Sequence, residues 1–61
     1  MTSMASDERQ KLIEQLYKNT NKIQTTIEAQ MDSLINGGQN PEFHATLLDI
    51  IETAARLLKN T

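Results

Sequence analysis

Few side chains in this chain could do chemistry. One histidine, His44, one tyrosine, Tyr17, a scatter of serine and threonine hydroxyls and eight carboxylates make up the inventory. No Ser/His/Asp spacing for nucleophilic catalysis is visible, and no glycine-rich loop could cradle a phosphate. Glu8 and Lys11, and Glu14 and Lys18, stand three and four residues apart, the spacing of ordinary surface ion pairs on a helix. There is no cysteine, so disulfides and thiolate metal sites are excluded, and a lone histidine does not make a metal site. Neither catalysis nor a bound metal or cofactor is expected.

The whole chain has 61 residues, one domain at most. A domain of this size buries little surface and is marginal alone. With disulfides and metals excluded, the expected remedy is a partner, either another protein or a second copy. The net charge is −2, and six basic residues are spread without a basic patch, so nucleic acid is disfavoured. The longest apolar run is two residues, far too short for a membrane helix. The opening MTSMASDERQ lacks the basic start and apolar centre of a secretory signal. Absence of cysteine fits a reducing cytoplasm.

Two amphipathic helices are predicted. Residues 1–5 are expected to fray, with Ser6 as N-cap and Asp7 and Glu8 in the first turn, where the helix dipole favours anions. Ile13, Leu16, Thr20, Ile23, Ile27, Gln30 and Leu34 alternate at spacings of three and four, a heptad seam with two polar interruptions. Leu12, Tyr17, Met31 and Ile35 widen it at both ends. Asn19-Thr20-Asn21 is weak helix former and is expected to bend the helix or fix its register. Gly37 or Gly38 supplies the left-handed residue that ends helix 1, near residue 36. Asn40 then caps helix 2, with Pro41 at its first position and its end near residue 60. A short loop between such helices predicts an all-α antiparallel hairpin, coiled-coil-like, with a long helix 1 and a shorter helix 2.

Helix 2 carries apolar doublets: Leu47-Leu48, Ile50-Ile51, Ala54-Ala55 and Leu57-Leu58. They form two parallel stripes. Leu47/Ile50/Ala54/Leu57, continued by Phe43, is assigned to the hairpin core with Ile23, Ile27 and Leu34. Leu48/Ile51/Ala55/Leu58 is left over for a partner. The period does not say which way either stripe points. Helix 2, folded back from the glycines, should reach only to about Leu16 or Tyr17, leaving Leu12 and Ile13 free at the far end. Tyr17 then either caps the core or anchors an interface, and His44 lies on the rim of the apolar face, where it could also serve as an interface hydrogen bond or a pH switch.

The segment from Ile35 to Thr61 resembles the second half of the small E-type co-chaperones of type III secretion, the YscE/PscE group. The matching features are Gly37-Gly38, Pro41-Glu42-Phe43, and Glu52 through Leu58. In that group a cytosolic helical hairpin binds a larger helical-repeat chaperone, and together they hold the needle subunit unpolymerised before export. The resemblance implies a stabilising, non-enzymatic role in virulence-associated protein transport. Combined with the stripe assignment, it places partner binding at Leu48, Ile51, Ala55 and Leu58, and at the free end of helix 1 through Leu12, Ile13, Leu16 and Tyr17. The alternative is a homo-oligomeric regulator or structural protein, two hairpins burying each other's spare stripes in a four-helix bundle. A secreted needle-type subunit would carry a longer C-terminal helix than this sequence shows.

Overall fold

The computed structural model describes residues 5–59; of the fraying expected over residues 1–5, only Ala5 falls among them. The chain forms two helices, α1 (Ser6–Ile35) and α2 (Pro41–Lys59), folded into an all-α antiparallel hairpin. The expected end of helix 1 at residue 36 differs by one residue, Asn36 being the cap of α1, and the expected end of helix 2 at residue 60 lies outside the described residues.

The helix ends show how local sequence sets the turn. Ala5, not Ser6, occupies the N-cap of α1, with extended backbone and no side-chain cap. Its carbonyl already accepts from the Arg9 amide, so Ser6 lies inside the helix, and Asp7 and Glu8 meet the dipole of the first turn. At the other end the Gly37 amide donates to the Leu34 carbonyl and the Gly38 amide to that of Ser33, the paired bonds of a Schellman cap. Gly37 supplies the required positive φ, 80°. Asn40 caps α2, its Oδ1 accepting from the Phe43 amide at 3.0 Å. The same side chain donates from Nδ2 to Gln30 Oε1 at 2.8 Å.

Gln30 is the one described residue of α1 with non-helical backbone angles (φ −134°, ψ 30°). The bend therefore sits where the returning loop grips the helix, not at Asn19-Thr20-Asn21, which stays helical. Asn19 turns inward instead and ties to α2 through Asp49.

The seam between the helices differs in register from the sequence reading. Along α1 the half-buried positions are Arg9, Leu12, Leu16, Asn19, Ile23, Thr26, Ile27 and Leu34, while Ile13 and Thr20 are exposed. Along α2 the line runs Phe43, Thr46, Ile50, Thr53 and Leu57, with Ala54 beside it. Thr46 and Thr53 are the most deeply buried of the described residues, and no hydrophobic side chain among them is fully buried. A threonine fits here because its hydroxyl can be satisfied locally: Thr46 Oγ1 donates to the Glu42 carbonyl at 2.8 Å. Leu47, assigned to the core, is 38% exposed. Threonine takes the central position one residue earlier and rotates Leu47 about 100° off the contact line. The other core assignments, Ile23, Ile27, Leu34, Phe43, Ile50, Ala54 and Leu57, are half-buried in or beside the seam.

The overhang also lies at the opposite end from the one expected. The Asn40–Gln30 bond starts α2 level with the bend rather than with the tip of α1. Asp49 then lies level with Gln15 and Asn19. At about 1.5 Å per residue, ten more residues carry the end of α2 to roughly the level of Arg9. Leu12 and Leu16 are accordingly packed in the seam, and the apolar side chains of α1 left exposed past the bend are Met31 and Ile35 at the loop end. The hairpin measures 45 × 16 × 14 Å.

Candidate interaction face

Two polar ties define one broad side of the hairpin. On α1, Gln15 and Lys22 flank the seam on the same side. On α2, Asp49 and Glu42 flank it on the side that meets them. Gln15 Nε2 donates to both carboxylate oxygens of Asp49, at 3.1 and 2.9 Å, and Asn19 Nδ2 donates to Oδ2 at 2.5 Å. Lys22 Nζ lies 3.3 Å from Glu42 Oε1 in an exposed ion pair. The amide donors from Gln15, then Asn19, hold the Asp49 carboxyl below its ordinary 3.8; partial burial opposes this and the charge of Arg56 adds to it.

The opposite broad side is apolar. Advancing one residue from the seam positions Leu12, Leu16 and Asn19 of α1 leads to Ile13, Tyr17 and Thr20, about 100° round. Advancing one residue from Thr46, Ile50 and Leu57 of α2 leads to Leu47, Ile51 and Leu58. Because the helices are antiparallel, the same rotation from the seam brings both sets to the same side of the hairpin, away from the Asp49 and Glu42 ties. Ile51 is 62% exposed, Leu58 76%, Tyr17 66% and Ile13 51%. Gln24 continues the line on α1, and Met31 and Ile35, both exposed, extend it past the bend. None of these positions carries a carboxylate, lysine or arginine.

The surface wraps further around α2. Leu48, 52% exposed, and the exposed Ala55 point almost directly away from α1. The stripe Leu48/Ile51/Ala55/Leu58 is thus exposed along its length. Of the positions assigned to partner binding, these four with Ile13 and Tyr17 lie on exposed surface, and Leu12 and Leu16 lie in the seam.

At the loop end an open depression of about 540 Å³ is lined by Leu34, Gly38, Gln39, Asn40, Pro41, Phe43, His44 and Leu47. His44 is exposed on its rim and is the one titratable group there. Among the described residues no group of three or more His, Asp or Glu is placed to hold a metal ion, and no helix is long and apolar enough to cross a membrane.

Compared with family models, curated proteins and solved structures, the chain gives no significant match.

The sequence reading missed the Asp49 clasp. Asp49 stands out as the only charged residue between Thr46 and Ile51, but the register that brings it to Asn19 is set by the folded hairpin.

Proposed function

We propose that this hairpin is a protein-binding co-chaperone, which docks through the outer surface of α2 onto a helical-repeat chaperone and stabilises it while that chaperone holds a type III secretion needle subunit in the cytoplasm. One observation carries the docking: Leu48, Ile51 and Leu58 are more than half exposed, in a domain with no fully buried hydrophobic side chain among its described residues. Fully covering an aliphatic side chain contributes roughly 1.5–3 kcal/mol, so a partner that covers three of them recovers much of what so small a core lacks. The clean stripe Leu48/Ile51/Ala55/Leu58 has the spacing of a helix-packing seam, and Ala55 at its middle allows close approach of a partner helix. The resemblance of residues 35–61 to the YscE/PscE group supplies the identity of the partner.

The test is co-expression with a helical-repeat chaperone encoded beside this chain. The expected result is a 1:1 complex by light scattering, lost in Leu48→Asp. A chaperone that is equally soluble and equally loaded with needle subunit without the hairpin would sink the proposal.

A further inference from the structure

The structure assigns a second occupant to the broad apolar side. We infer that, without its partner protein, the hairpin pairs with a second copy of itself, α1 of each lying over α2 of the other, about a two-fold axis parallel to the helices. This rests on the reading of the apolar surface as a docking surface and names what covers it at rest.

Three observations select a second copy. The first is level. Asp49 ties fix α2 against α1 so that Ile51 and Leu58 lie near the levels of Tyr17 and Ile13, and His44 lies near that of Gln24. A two-fold axis along the hairpin keeps levels unchanged and exchanges the two helices. Ile13 and Tyr17 then meet the second copy's Leu58 and Ile51, and the polar Gln24 meets the second copy's His44. The large apolar side chains at that end face one another, and Leu47 against the second copy's Thr20 is the one mixed pair, which keeps the contact self-complementary as an isologous interface demands.

The second is charge. Each copy carries a net charge of −2, yet the positions that would meet bear no carboxylate, lysine or arginine. The ionic groups that bridge the helices, Asp49 and the Lys22–Glu42 pair, lie on the far side. Two copies can approach on this side without bringing like charges together.

The third is area. The outline of the side, 45 by 16 Å, is of the same order as the roughly 800 Å² per partner that stable interfaces bury. The result is a four-helix bundle, the arrangement in which each amphipathic helix finds neighbours on two sides. Ile51 and Leu58 belong both to this contact and to the outer stripe of α2. The partner protein must therefore displace the second copy, and the pairing regulates docking by competition.

The experiment uses the unmodified chain first, by sedimentation over two decades of concentration, then mixed single-cysteine chains, since the protein has no native cysteine. The expected result is a concentration-dependent dimer. In mixed oxidation, Tyr17→Cys should cross-link to Ile51→Cys in preference to either cross-linking with itself. Lys18→Cys, on the opposite side of α1, should not cross-link to Ile51→Cys above background. A monomer throughout, or a preference for Tyr17→Cys pairing with itself, overturns the inference. A monomer that still binds the helical-repeat chaperone leaves the proposed function standing, and a dimer that the chaperone does not displace sinks that function and leaves the pairing.

Discussion

Ile50 and Ile51 are chemically identical neighbours, one in the packing line and the other about 100° away from it, which makes them a stringent probe of the hairpin. Ile50 is half-buried in the seam, and Ile51 is 62% exposed. Truncating a fully buried isoleucine to alanine costs about 2–5 kcal/mol, so a half-buried one should cost roughly 1.5–2. By the same proportion Ile51 keeps about a third of its contact and should cost roughly 1 kcal/mol. Alanine is the better helix former by a few tenths of a kcal/mol at both positions, which cancels in the comparison. A domain this small shifts its melting temperature by roughly 4–8 °C per kcal/mol. Ile50→Ala is therefore expected to melt about 6–16 °C lower than the unmodified chain, and Ile51→Ala about 4–8 °C lower. The assay is thermal melting followed by circular dichroism at the lowest workable concentration, where pairing contributes least. Raising the concentration should then stabilise the unmodified chain more than Ile51→Ala. An equal fall for both variants at low concentration, or a larger one for Ile51→Ala, would refute the assignment of faces.

Asn40→Ala removes the α2 cap and the tie to Gln30 together and should cost about 1 kcal/mol, measurable as a lower urea midpoint with unchanged slope. At Gly38 an added Cβ would press on Ser33 Oγ and lie 2.8 Å from the Ser33 carbonyl oxygen. Backbone must move to make room, so Gly38→Ala should destabilise the hairpin even though this glycine, unlike Gly37, does not need a positive φ; urea titration of the purified variant checks it. Asp49 has its folded pKa lowered from 3.8. The stability it contributes is present above that value and is lost as pH falls below it through the folded pKa. Unfolding curves from neutral to strongly acid pH should show this step in the unmodified chain and not in Asp49→Asn. Leu47→Asp, at a flank position, should keep most of its helicity, whereas Ile23→Asp in the seam should unfold the hairpin; circular dichroism separates the two.

The helices, their order and their turn were legible in the sequence because each depends on neighbours within a few residues. Gly37 takes positive φ, Asn40 caps Phe43, and Pro41 begins α2, all from local chemistry. The surplus of apolar surface was legible too: doublets such as Ile50-Ile51 place oily side chains about 100° apart, more than one neighbouring helix can cover.

What only the tertiary structure decided was direction. Periodicity gives the spacing of a stripe and not the way it points. Burial of Thr46 and Thr53 swung the contact line away from Leu47. The Asn40–Gln30 bond moved the overhang from Leu12 and Ile13 to Met31 and Ile35. The Asp49 clasp and the Lys22–Glu42 pair lie on one broad side, and Ile13, Tyr17, Ile51 and Leu58 lie on the other. Those choices rest on contacts between residues ten to thirty-four positions apart, and no local pattern encodes which polar pair will meet when two helices fold together.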